Sequence, residues 1–170
     1  TYYEQENESL TSEMQSGKLS EKEITQWKYQ RYMHDYLGSV QAVDDSVGRI
    51  LNYLDQNGLS ENTLVIYSSD QGFYLGEHGW YDKRWMFEES LKMPFLVRWP
   101  GKVNPGTRSE AMIQNIDYGP TVLDIAGVHV PTEMQGRSLK PLFENGGNKT
   151  PDWRDAIYYA YYENAAVHEV

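Results

Sequence analysis

Leu64 to Lys83 reads LVIYSSDQGFYLGEHGWYDK, and the way this stretch begins decides the fold. The apolar run Leu64–Tyr67 has the length and the β-branched, aromatic content of a buried strand. It stops at two serines followed by Asp70, Gln71 and Gly72, so polar chemistry starts where the strand ends. In open α/β sheets ligands collect at the carboxyl ends of strands, which suits a carboxylate and an amide at that point to holding a cation. The remainder brings Gly76, Glu77, His78, Gly79, Asp82 and Lys83 together with four aromatic residues, a mixture that suits a site better than a core.

Upstream, Ser20 and Glu23 have capping-box spacing. Met33, Tyr36, Leu37, Val40, Val43, Val47, Ile50, Leu51 and Leu54 then recur at helical steps. Asn57 and Gly58 close that helix. A short turn leads into the strand from Thr63, giving an αβ unit of a layered domain whose sheet is expected to be covered on both faces. Residues 1–19 are polar without a clear period, a lead-in that reads as a surface loop or short helix. Downstream, Met93–Trp99 predicts a second strand ending at Pro100 and Gly101, and Ala111–Ile113 a short third. Asp117 is expected to cap a helix whose apolar positions end at Gly127. Residues 131–152, rich in proline, glycine and asparagine, read as a surface connection with at most a turn of helix around 138–143. Ala156–Tyr162 reads as a strand that begins a further structure. The domain reading is therefore 1–150 as an α/β domain and 151–170 as the start of a second.

The 170 residues, 39% hydrophobic and 14% aromatic, suit one globular domain. A formal net charge of −10 argues against a nucleic-acid surface, which needs clustered lysine and arginine. No stretch approaches the roughly 20 apolar residues of a membrane span. With no cysteine, disulfides, thiol nucleophiles and zinc–thiolate sites are excluded within these residues. A start at Thr1 in charged sequence and an end directly after a strand-like run lead to the expectation of a longer protein.

Asp70 and Gln71 offer hard oxygen ligands, suited to calcium or magnesium rather than zinc; the same triplet with Gly72 is also an ordinary turn sequence. Lys83 can set a point charge against a phosphate or sulfate, or lie solvated on the surface, and Arg84 is a lesser candidate of the same kind. His78 reads as a proton-transfer or orienting group, or as a structural residue of a glycine-rich loop. Trp80, Tyr81 and Trp85 offer either sugar stacking or packing beneath the loop. Asp44 and Asp45, about 100° apart on a helix, do not share a site. His168, with Glu163 and Asn164, could belong to a loop folded over a pocket, or to a polar chain end.

The run SSDQGFYLGEHGWYDKR, then EESLKMPFLVRWPG, then NIDYGPTVLDIAG resembles the C-terminal part of the catalytic domain of type I sulfatases, members of the alkaline-phosphatase-like superfamily. The resemblance covers Tyr32 to Leu142. It implies part of an α/β/α sandwich with the beginning of a small C-terminal α+β subdomain. It makes Asp70 a calcium ligand, with Gln71 in the adjacent ligand position where relatives commonly carry asparagine or histidine. Lys83 falls where the family places a lysine on the substrate sulfate, and His78 becomes an orienting residue, since the family's general-acid histidine lies upstream. The ending YAYYENAAVHEV is similar to bacterial glycan sulfatases, including those resembling N-acetylglucosamine-6-sulfatases. That makes His168 a substrate-binding candidate and a sulfated carbohydrate the implied substrate, with a periplasmic or secreted location.

The family nucleophile is a formylglycine made within a C/S-x-P-x-R motif, and neither that motif nor the early Asp-Asp calcium ligands occur here. The implied activity is sulfate ester hydrolysis by a longer chain, with these residues alone inactive. Two alternatives stay open: a phosphodiesterase or phosphonate hydrolase of the same superfamily, and a non-catalytic calcium-dependent glycan-binding protein.

Overall fold

The computed structural model describes residues 2–160, with side chains from residue 4 onward. Two units emerge, Thr1–Leu54 and Asp55–Val170. Helix α1 (Tyr2–Gln15) and all but the last two residues of helix α2 (Glu21–Gln56) make up the first. The expected loop or short helix is thus 14 residues of helix, because glutamate, glutamine and methionine are good helix formers even without an apolar period. Gly17, at φ 66°, ends it.

The capping box before α2 forms as the sequence predicts. The Ser20 backbone N–H donates to Glu23 Oε2 at 2.8 Å, and the Glu23 N–H donates to Ser20 Oγ at 3.3 Å. The backbone bond, joined by the Ser20 hydroxyl, holds the Glu23 carboxyl below its ordinary value. No residue of α2 is buried. Its apolar positions Leu37, Val40, Val43 and Ile50 are exposed, while Arg31–Asp35 and Gln41–Asp45 pairs lace its polar surface at i,i+4 spacing.

In the second unit, strands β1 (Val65–Ser68) and β2 (Phe95–Arg98) pair antiparallel, with Ile66 opposite Val97 and Tyr67 opposite Leu96. Side chains alternate between faces. Tyr67 and Leu96 share one face of the sheet and are exposed there, Leu96 at 64%. On the other face Phe95 stacks on Tyr118 at 5.4 Å, and Ser68 Oγ and Tyr118 Oη share a 2.6 Å hydrogen bond. Among the described residues of this unit the short α-helices are α3 (Glu88–Leu91), α4 (Tyr118–Ile125) and α5 (Lys140–Glu144).

Three expectations are corrected here. Ala111–Ile113 is not a strand; it runs as irregular chain whose Ala111 and Ile113 pack against the core. The segment 131–152 is not merely a surface connection. Its few apolar residues supply the core, where Leu139 and Leu142 cluster with Trp153, and Phe95, Tyr118 and Phe143 pack around them. Thr121 anchors it, accepting from the Leu139 N–H at 2.8 Å and donating to the Asp117 carbonyl at 2.6 Å. Residues 156–160 are irregular, and the rest of that expected strand lies outside the described residues.

Asp117 does precede α4, but its side chain does not cap it. The carboxylate is fully buried and turns instead to three other segments. It accepts from the Gln114 N–H at 2.8 Å, the Arg137 N–H at 2.8 Å, and Arg154 Nη1 and Nη2 at 2.5 and 2.7 Å. Gly136 permits this closure, since a Cβ there would stand 2.0 Å from the Ile116 carbonyl oxygen. Among the described residues no helix is long and apolar enough to cross a membrane.

Candidate functional site

Asp70 and Gln71 leave the end of β1 as the sequence predicts, and the next residue explains their placement. Gly72 lies so close to α3 that an added Cβ would stand 2.0 Å from the Glu89 carbonyl oxygen. The Gly72 N–H donates to Ser90 O and the Phe73 N–H to Glu89 O, both at 2.9 Å. At the other end of the loop, the buried Ser90 hydroxyl donates to the Lys83 carbonyl. One short helix therefore grips both ends of the loop, closing the sequence gap between Asp70 and Lys83.

The loop between is packed from within. Tyr74 is fully buried and its hydroxyl donates to the Trp85 carbonyl, while its N–H reaches Asp82 O at 2.7 Å. Trp80 stacks on Trp85 at 5.6 Å and meets Tyr74 edge-on, so Trp80 packs beneath the loop; Tyr81 and Trp85 are about half exposed. The Asp82 carboxylate accepts from the Lys83 N–H at 2.7 Å and from Arg84 Nη1 at 3.1 Å, tying the two cationic residues to one anchor.

Asp70, Gln71, Lys83 and Arg84 line a single open cleft of about 500 Å³, together with Gln114, Asn115 and the chain from Ile157 to Tyr159. The sequence-predicted cation ligands and anion-binding lysine are thus brought together. His78 is not among the residues lining that cleft. It sits at φ 58°, rare for a residue with a side chain, with its ring stacked on Phe87 at 4.1 Å and Nε2 3.2 Å from Glu89 Oε2. Glu89's own backbone N–H, then His78, hold its carboxyl below the ordinary value. His168 lies outside the described residues.

Sequence reading places Asp82 in the loop's polar mixture without a specific role, and it misses Ser90, Gln114 and Asn115. Gln114 immediately precedes the motif NID and Asn115 opens it, a stretch whose only sequence signal is the cap role of Asp117. They add amide groups to a cleft that already mixes Asp70 with Lys83 and Arg84. Asp70 and Gln71 fit part of the oxygen shell of a hard divalent cation. Among the described residues no group of three or more His, Cys, Asp or Glu side chains is placed to complete one.

The profile of the family described as N-sulphoglucosamine sulphohydrolase, C-terminal, matches residues 76–170. The chain belongs to the sulfatase family. A second profile, type I phosphodiesterase / nucleotide pyrophosphatase, matches residues 25–114, in keeping with the alkaline-phosphatase-like superfamily that the motifs indicate. An N-acetylglucosamine-6-O-sulfatase of Bacteroides thetaiotaomicron is 52% identical over 159 residues, covering 94% of this chain and 28% of that relative. The human N-acetylglucosamine-6-sulfatase is 39% identical over 122 residues, 71% of this chain and 22% of the relative. A solved structure of a protein in complex with its substrate D-glucosamine-2-N,6-O-disulfate superimposes with a TM-score of 0.86 at 52% identity, covering 91% of this chain and 31% of that one. The chain thus spans less than a third of each sulfatase relative, and its mixed helix-and-strand architecture is an α/β portion of the sulfatase fold.

Proposed function

We propose that the protein containing this chain hydrolyses sulfate esters of glucosamine-containing glycans. The observation that carries this is the convergence of Asp70, Gln71 and Lys83 on one cleft, in a chain 52% identical to an N-acetylglucosamine-6-O-sulfatase. The Asp70 carboxylate and the Gln71 amide oxygen would hold part of the shell of a calcium ion, which, when bound, supplies Lewis-acid polarisation of a sulfuryl oxygen. Lys83 stabilises negative charge on the remaining sulfuryl oxygens, as a cation held in place beside the developing charge. Arg84, oriented by Asp82, adds a second positive charge on the same side. His78 and Glu89 hold the loop that carries Lys83, an orienting role. The formylglycine nucleophile, the general acid and the remaining ligands belong to sequence beyond these residues, and a substrate role for His168 rests on the family resemblance. A periplasmic or extracellular location accords with a glycan substrate.

One test is to measure hydrolysis of an aryl sulfate, of glucosamine 6-sulfate and of an aryl phosphodiester by the full-length protein, with and without a calcium chelator. Calcium-dependent sulfate release from both sulfate esters is expected. A preference for the phosphodiester would favour the second reading, a phosphodiesterase, which the profile match over residues 25–114 supports. Sulfated-sugar binding without turnover of any ester would leave a glycan-binding protein.

A further inference from the structure

The cleft has two sides far apart in sequence, and one buried ion pair lies behind both of its non-catalytic segments. Asp117 fixes Gln114 through its backbone N–H at 2.8 Å, and Gln114 and Asn115 line the cleft. The same carboxylate receives both Arg154 guanidinium nitrogens, and three residues later the chain from Ile157 to Tyr159 forms another stretch of the lining. Trp153 repeats the tie, its indole Nε1–H donating to the Met112 carbonyl at 2.9 Å. The loop through Arg137 is bound into the same knot, by its N–H on Asp117 and by its Nη1 on the Asp152 carbonyl at 2.5 Å. The segment 154–159 then reaches the cationic side of the cleft, where the Tyr159 hydroxyl donates to the Arg84 carbonyl.

We infer that Asp117, Arg154 and Tyr159 are positioning residues for substrate: the Asp117–Arg154 pair and the Tyr159–Arg84 bond together set the spacing between the Lys83–Arg84 side of the cleft and the Gln114–Asn115 side. None of the three supplies a reacting group. A guanidinium with two parallel bonds to a carboxylate fixes direction as well as distance, which a lysine ammonium cannot do. Loosening the pair lets the cleft widen, and the cost falls on binding rather than on the chemical step. The kinetic consequence rests on the sulfate-ester reading above; the spacing itself does not.

The experiment uses the full-length protein with Arg154→Lys and Tyr159→Phe, each checked for a cooperative thermal transition. Steady-state hydrolysis of glucosamine 6-sulfate is measured, and hydrogen exchange is followed at 82–85 and 112–117. Arg154→Lys is expected to raise KM about tenfold, and Tyr159→Phe about threefold, with kcat changed less than KM. Both variants should speed exchange at 82–85 relative to α4. A fall in kcat at constant KM, or wild-type kinetics and exchange in both, overturns the inference. Should Arg154→Lys fail to fold, Tyr159→Phe decides alone, since it removes one hydroxyl and leaves the buried pair intact. If the wild-type protein releases no sulfate, the sulfatase reading fails, and the positioning inference stands or falls on the exchange at 82–85.

Discussion

Gly72 and Glu89 approach until no side chain fits between them: a Cβ on Gly72 would meet the Glu89 carbonyl oxygen at 2.0 Å. Gly72 is required here for close contact rather than for a positive φ. Gly72→Ala should therefore cost about 1–3 kcal/mol of stability, at the upper end because the obstruction is backbone and cannot rotate away. It should also displace Asp70 and Gln71 relative to Lys83. Thermal denaturation and calcium titration of the full-length protein would check this, with a lowered midpoint and weakened calcium binding appearing together.

Lys83 and Asp70 serve different parts of the proposed chemistry, and their variants should separate. Lys83→Ala should lower turnover by about 10²–10³-fold, the usual loss for one preorganised charge partner of the transition state, while calcium affinity stays near wild type. Asp70→Ala should weaken calcium binding and turnover together, with partial recovery at high calcium. Measuring calcium affinity by calorimetry alongside initial rates checks both, and wild-type rates in either variant would remove that assignment.

Leu139 anchors the core from a segment that looked like a connection. It is fully buried against Leu142 and Trp153, so Leu139→Ala should destabilise by about 2–5 kcal/mol. Chemical denaturation of the full-length protein gives the number. A loss below about 0.5 kcal/mol, the scale of an ordinary surface substitution, would return 131–152 to the surface.

The elements carried by local signals were legible in the sequence. The Ser20–Glu23 box, the stop at Gly58, the two strands and the oxygen groups after β1 all depend on neighbours within a few residues, where spacing and residue type decide the outcome. The Asp70–Lys83 pairing came from a family motif, and the geometry behind it, Glu89 and Ser90 holding both ends of one loop, is non-local. So are the errors. Leu139 and Leu142 stand among prolines, glycines and asparagines whose composition says surface, yet a core needs only a few apolar groups in the right places. Asp117 carries a cap signature for α4 that an arginine 37 residues away overrides, since a bidentate guanidinium bond outweighs a single N–H of a helix terminus.

That override sets the pH response of the fold. Burial, the largest single influence, pushes the Asp117 carboxyl upward, but the Arg154 guanidinium and the Arg137 and Gln114 N–H groups together outweigh it and leave it below the ordinary aspartate value of 3.8. Hydrogen bonding to Asp117 correspondingly raises Arg154. Because the folded pKa is depressed, folding favours the carboxylate. The stabilisation is fully present above the unfolded value near 3.8 and is lost as pH falls through the lower folded value. Asp117→Asn keeps the size of the side chain and leaves Arg154 without its counter-charge, so at pH 7 it should cost about 3–5 kcal/mol. Measuring denaturation midpoints of both proteins from pH 7 down to pH 2 should show a constant gap that begins to close only below the ordinary aspartate range. A gap that closes already between pH 5 and 7 would mean that the folded Asp117 carboxyl is raised above its ordinary value rather than lowered, and would overturn this account.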